Sequence, residues 1–340
     1  MGVGQRGNSD VDFYCEKQFS FIMRYIYIGN VQASVIGLGA WQIGTRSWGW
    51  KTEFDSHEVS KLLKAAEASG VNFIDTAELY GEGESERQLG YYLTDYFVIA
   101  SKVSPWHLSE PGVYKAASKS LERLQRRYLD LYQIHVPNPF IPLSRTMRGM
   151  ARLINEGAIK TVGVSNFSLH RWQRAERLLG FHVITNQVDY SLIRPKAFKA
   201  LRPMLDEKHV MIAYSPLAMG LLSGKYDGIR RPSGSRATQS EFSRKNYKNM
   251  VHVLEVVKKV AKSHSATVAQ IALAWVISHP NVIAIPGAKS AEQVKQNAAA
   301  ADIKLSAEEI ALLNEVSEGY RPALHIPSLF EAFKWIFSRF

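Results

Sequence analysis

The chain contains a single cysteine, Cys15, so neither an intramolecular disulfide nor a cysteine-based zinc cluster can form. That composition suits a reducing, cytoplasmic setting. No stretch approaches the ~18 uninterrupted apolar residues that a membrane-spanning helix requires, and the N-terminus carries no basic-then-apolar signal pattern. Neither HExxH nor a cysteine–histidine cluster occurs, so no metal site is expected. Two nucleotide motifs begin and fail. GLGAWQIG (37–44) has Gln42 where a dinucleotide fingerprint needs its third glycine, and GLLSGKY (220–226) is one residue short of a phosphate loop.

Positive charge, by contrast, is in excess: the net charge is +11. A nucleic-acid partner would fit that number, but no recognised binding motif accompanies it. The densest basic stretch, 230–248, carries Gly, Pro and Ser, and reads as a loop rather than a helix fitted to a groove. The expectation is therefore no nucleic acid and no membrane, with the charge serving solubility and attraction for a small anionic ligand.

Apolar strand-like runs occur at 34–41, 71–77, 96–103, 129–136, 159–166, 182–190, 210–218 and 281–288. Most are rich in β-branched residues and lack long polar alternation, as strands buried on both faces do. Between them lie segments with helical spacing. Residues 57–70 put Val59, Leu62, Leu63 and Ala66 on one side and stop at Gly70; 144–157 start at a candidate cap, Ser144, and stop at Gly157; 169–180 end on Gly180. Alternation of this kind implies parallel pairing, and eight units close into an α/β fold of the (β/α)8 TIM barrel type. An open doubly wound sheet is the plainer alternative. The seventh unit is longer than the rest and holds the basic stretch plus a further helical segment, 250–264. Residues 1–22 read as an irregular N-terminal extension, and 23–340 as a single barrel domain with an enlarged loop after strand 7 and a C-terminal tail.

Polar residues gather where these strands end. The second ends on Asp75 with Tyr80 in a glycine-rich turn, the third on Ser101 and Lys102, and the fourth on Gln133 and His135. Singly, such residues usually cap turns, point to solvent or sit satisfied in a core. Together, an acid, a phenol, an amine and an imidazole fall at one end of three adjacent strands, where barrel chemistry is found. A buried Lys102 needs a counter-charge, and Asp75 is the nearest available. Free tyrosine titrates near about 10. An ammonium ~4 Å away, at an effective dielectric of ~20, is worth at most about 4 kcal/mol, or about three pK units. That brings a phenol toward the range of a general acid. Tyr80 is then a proton donor, with Gly81 and Gly83 letting its turn approach the mouth. Asp75 keeps Lys102 charged, and His135 hydrogen-bonds the oxygen that receives the proton.

These residues resemble the aldo-keto reductase family, whose acid, tyrosine, lysine and histidine tetrad corresponds to Asp75, Tyr80, Lys102 and His135. The likeness continues through FIDTAELYG (73–81), GVSNF (163–167), AYSPLAMGLLSGKY (213–226) and IPGAKSAEQVKQN (285–297), and spans about residues 24–318. The resemblance implies hydride transfer from C4 of a nicotinamide to an aldehyde or ketone. It assigns Ser165, Asn166 and Gln187 to the carboxamide, Tyr214 to stacking on the ring, Ser215 to the cofactor site, and Leu217, Met219, Gly220 and Leu222 to the pyrophosphate side. Gly287, Lys289, Ser290, Gln293 and Asn297 fall where the family binds the adenosine end. Lys289 and Ser290 favour a 2′-phosphate, hence NADPH, although many members carry an arginine where this chain has Gln293. Aromatics suited to an apolar carbonyl substrate are Trp41, Trp48, Trp50 and Trp106, with Phe330, Phe333, Trp335 and Phe337 in the tail. A second reading, by resemblance to potassium-channel β subunits, is a nucleotide-bound regulatory subunit with little turnover.

Overall fold

The computed structural model describes residues 22–226 and 242–321. The N-terminal extension up to residue 21, residues 230–241 of the basic stretch and the aromatic tail lie outside the described residues.

A hairpin comes first. Strands β1 (Tyr25–Ile28) and β2 (Val31–Ser34) pair antiparallel across Gly29 and Asn30, with Gly29 at φ +61°. This hairpin is a separate two-stranded sheet and not part of the barrel. Its Ile28 and Ala33 pack with Phe73, Val98, Leu131, Ile184, Val210, Ile212 and Ile283, which fill the interior of the sheet. Asn72, just ahead of the second barrel strand, ties the hairpin down by donating to Gln32 O at 2.9 Å and accepting from Ser34 N at 2.8 Å.

Eight parallel strands follow in chain order: β3 (Leu38–Gly39), β4 (Phe73–Asp75), β5 (Val98–Val103), β6 (Leu129–Ile134), β7 (Ile159–Ser165), β8 (Thr185–Asp189), β9 (Val210–Tyr214) and β10 (Val282–Ile285). Backbone bonds close the ring, Gly37 N donating to Ala284 O at 2.8 Å and Gly39 N to Pro286 O at 3.1 Å. This closure excludes the open doubly wound sheet. A Cβ on Gly39 would lie 2.7 Å from Ile285 O, so the glycines that imitate a dinucleotide fingerprint serve close strand approach instead.

The helices form an outer layer, and their apolar faces bury a second core against the strands. α1 (Ser56–Ala68) follows β3 and buries Val59, Leu62, Leu63 and Ala66, the face expected from spacing. Next come α2 (Glu84–Gly90), α3 (Glu110–Leu124), α4 (Leu143–Asn155), α5 (Leu169–Leu179) and α6 (Lys196–Leu201), one after each strand. Ser144 does not cap α4. The N-cap is Pro142, whose ring presets φ at −57°, and Ser144 lies within the first turn. The long unit after β9 contains α7 (Arg244–Ser263) and α8 (Val268–Val276); α7 is the addition, packed on α8 and on α10 (Ala307–Gly319). α9 (Ala291–Ala298) follows β10. Among the described residues no helix is long and apolar enough to cross a membrane.

Candidate active site

β4 ends on Asp75, and its parallel neighbour β5 carries Lys102 two residues beyond the point where Ala100 faces Asp75. Both side chains are sealed from solvent, with Lys102 at 0% exposure. The Lys102 ammonium donates to three acceptors: Asp75 Oδ1 at 2.5 Å, Thr76 O at 2.9 Å and the Tyr80 hydroxyl at 3.1 Å. Burial works against its charge, but the Asp75 carboxylate and Tyr80 outweigh burial, and the lysine is held above its usual range. The second Asp75 oxygen accepts from Gln187 Nε2 at 2.8 Å and Gln133 Nε2 at 3.2 Å. A carboxylate so saturated stays where it is.

Tyr80 reaches this cluster because of the turn that follows β4. Gly81 has φ +58°, and a Cβ there would lie 2.4 Å from Gly44 O. Gly83 has φ +82°, and a Cβ there would lie 2.7 Å from Arg123 Cδ. Behind them α2 is pinned by a buried glutamate: Glu86 accepts from Ser101 Oγ at 2.5 Å and from Arg123 Nε at 2.6 Å. Ser101 precedes Lys102, so one residue pair fixes the helix that follows the phenol's turn to the amine's strand. Gly81→Ala should therefore cost at least about 1 kcal/mol of stability and displace the phenol. A denaturant melt and a turnover measurement should both show loss, and unchanged values in both would contradict the close approach.

His135 follows β6 and meets the Tyr80 ring edge-on, centroids 5.7 Å apart; Trp41 lies on Tyr80's other neighbour position at 6.2 Å and contacts Trp48 at 5.0 Å. These rings border a cavity of about 420 Å³ over the C-terminal ends of the strands. Ser165, Asn166, Gln187, Tyr214, Ser215, Leu217, Met219, Gly220, Gly287, Lys289, Gln293 and Asn297 line the same cavity. Of the described residues expected to meet cofactor or substrate, four do not, Trp50 among them. Leu222 is buried in the core, Ser290 caps α9 by accepting from Gln293 N, and half-exposed Trp106 stands away from the lining. Trp50 is buried edge-on against Phe54 at 5.3 Å.

The lining residues hold one another in place. Ser165 Oγ donates to Gln187 O at 2.9 Å, Asn166 Nδ2 donates to Ser165 Oγ at 2.9 Å, and the Tyr214 hydroxyl donates to Asn166 Oδ1 at 3.1 Å. Burial, with the Asp189 carboxylate adding to it, pushes the Tyr214 phenol up, so this tyrosine keeps its proton. Beyond β9 the backbone is strained: Ser215, Ala218 and Met219 all have positive φ, and Gly220 reaches +99°. Left-handed non-glycine residues cost energy and persist only where the surrounding structure holds them.

Sequence reasoning missed Glu53. It forms a 2.5 Å ion pair with Lys289 across the cavity rim, over Gly49, where a Cβ would lie 2.8 Å from Glu53 Cδ. Gln42, which spoils the fingerprint, donates instead to Ala288 O at 2.7 Å. Gln133 and Glu86 had no assigned role either. Strand register is the signal that finds Gln133, which pairs directly with Lys102.

A barrel closed in this way, with an amine, acid and phenol at one mouth, defines a class. The aldo/keto reductase family model matches residues 35–318, and the chain belongs to that family of oxidoreductases. It is 45% identical over 306 residues to an uncharacterized oxidoreductase of Mycobacterium tuberculosis, covering 88% of this chain and 94% of that one. It is also 33% identical to a methylglyoxal reductase of Escherichia coli, over 85% of this chain and 93% of the relative. Among solved structures, an aldo-keto reductase of Klebsiella pneumoniae in complex with NADPH aligns with a TM-score of 0.70 at 34% identity, covering 89% of this chain and 97% of that one.

Proposed function

We propose that this protein is an NADPH-dependent reductase of aldehydes or ketones in which Tyr80 is the general acid. The observation that carries the reading is the Lys102 ammonium, buried, paired with Asp75 and 3.1 Å from the Tyr80 hydroxyl. Because the phenolic oxygen accepts from Lys102, its own proton is left to donate outward into the cavity. The same ammonium stabilises the phenolate that remains after the proton has gone. His135, edge-on to Tyr80, holds the carbonyl oxygen in line with that proton.

The residues present fit a nicotinamide cofactor. Ser165, Asn166 and Gln187 form a fixed polar set for a carboxamide, Tyr214 offers a flat face beside it, and the strained segment 215–220 suits a clamp on the pyrophosphate. The chemistry such a cofactor supplies is a hydride from C4 of its ring. Trp41 and Trp48 narrow the opening above Tyr80, which favours compounds with an apolar or flat group beside the carbonyl. A reducing cytoplasmic setting is part of this reading.

The test is absorbance at the NADPH band against a panel of carbonyl compounds that includes methylglyoxal, given the Escherichia coli relative. Substrate-dependent oxidation supports the reductase. Tight cofactor binding without any oxidation would instead support the regulatory-subunit reading.

Cofactor choice turns on Lys289. With Glu53 seated on it, a 2′-phosphate must displace a carboxylate, whereas a 2′-hydroxyl need not. Glu53→Gln is therefore expected to tighten NADPH binding about two- to five-fold, a screened surface effect, and to leave NADH nearly unchanged. Fluorescence titration of both cofactors measures this, and equal or tighter NADH binding by the unaltered protein would overturn the NADPH preference.

A further inference from the structure

At the opposite end of the barrel, ahead of β8 and β9, three potential ligand side chains converge. We infer that Glu176, His182 and His209 form a binding site for a divalent transition-metal ion of the zinc type. Their ligand atoms all lie within 4.8 Å of one another, and two imidazoles with one carboxylate are a donor set that suits zinc. The proposal is independent of the reductase reading.

The geometry around His209 points to more than an ion pair. Its Nε2 faces Glu176 Oε2 at 2.7 Å, while its Nδ1 faces Asp206 Oδ1 at 2.7 Å. A carboxylate on the far nitrogen is the outer-shell arrangement that orients a metal-binding imidazole and directs Nε2 at the ion. Trp172 packs edge-on to His209 at 5.6 Å and is itself fixed by donating to Val183 O at 2.7 Å. The Val183 amide in turn donates to Glu176 Oε2 at 3.0 Å. The His209 ring and the Glu176 carboxylate are thus held by backbone and core, as a preformed site requires.

Both Glu176 oxygens are engaged within the cluster, Oε2 by His209 and the Val183 amide and Oε1 by His182. An entering cation takes the place of the hydrogen bond between His209 Nε2 and Glu176, and a proton is released to solvent. Zinc–ligand bonds of about 2.0–2.2 Å in tetrahedral array place ligand atoms about 3.3–3.6 Å apart, so the 2.7 Å contact between His209 and Glu176 opens by about 0.6–0.9 Å. His182, 3.3 Å from Glu176 Oε1, completes the set from the rim of a second cavity of about 460 Å³ beneath the hairpin turn at Gly29. That side is the entry path and leaves a fourth position for water. An ion there would join α5 to the segments entering β8 and β9.

The test uses the full chain, with Co²⁺ titration read by visible absorption and Zn²⁺ titration read by calorimetry and thermal melting. Expected are a single ion per chain, tetrahedral cobalt bands and a rise in Tm with Zn²⁺. Asp206→Asn should weaken affinity about 10–100-fold. His182→Ala, at an exposed position whose loss leaves the fold intact, should weaken it at least about tenfold. Absence of saturable binding would overturn the proposal and leave a hydrogen-bonded cluster only. Binding that His182→Ala leaves unchanged would overturn it equally, since the ion would then be held elsewhere.

Discussion

Tyr80→Phe is expected to lower carbonyl-reducing turnover by about 10²–10⁴-fold, the usual worth of a positioned general acid. The change removes one oxygen and little else. Lys102 retains Asp75 Oδ1 and Thr76 O as acceptors, so its charge is not stranded. The aromatic ring keeps its neighbours Trp41 and His135. Loss of one hydrogen bond to a charged group alters stability by about 1.5–3 kcal/mol at most. Cofactor affinity should stay near that of the unaltered protein, because the phenol belongs to the carbonyl side of the cavity. Steady-state assays with matched binding titrations separate these effects. Turnover close to the starting level would assign proton donation to another group, with His135 the next in position.

Lys102→Met is expected to do two things at once. It breaks a fully buried pair, which costs about 3–5 kcal/mol because the surviving charge is left in a dry site. Gln133 and Gln187 still donate to Asp75 and place the loss toward the lower end of that range. The pH dependence has a definite sign. Lys102 is held above its ordinary value by Asp75 and Tyr80 against burial. Its stabilising contribution is therefore complete below the unfolded lysine pKa and is lost only as pH rises through the higher folded one. No titration near neutrality should arise from it in the unaltered protein. In the variant the phenol loses its cation, so the limb of turnover that follows Tyr80 should move to higher pH while the maximum rate falls. Lost stability with an unmoved profile would reduce Lys102 to a structural role.

Much of the architecture was legible in the chain. Strand runs that lack polar alternation mark strands covered on both sides, and the face of α1 followed directly from the spacing of Val59, Leu62, Leu63 and Ala66. The juxtaposition of Asp75, Tyr80, Lys102 and His135 was legible because these residues fall at or just beyond the ends of three adjacent apolar runs, and in a parallel barrel those ends meet. Ser144 failed as a cap for a local reason, since Pro142 starts the helix earlier. Glu53 could not be found because its partner, Lys289, lies 236 positions away and joins it only through ring closure. Glu176, His182 and His209 likewise follow no motif spacing, and packing alone brings them together.

Composition and periodicity by themselves determined eight strand–helix units paired in parallel and which side chains would stand at the strand ends, because burial on two faces and strand polarity are written into local pattern. Closure of the ring came from the tertiary structure. Only the tertiary structure decided what those side chains bond to. The ammonium's three acceptors, the rim pair at Lys289 and the far-end histidine cluster all depend on register and closure, and contacts of that range arise from where the sheet meets itself rather than from any neighbouring residues.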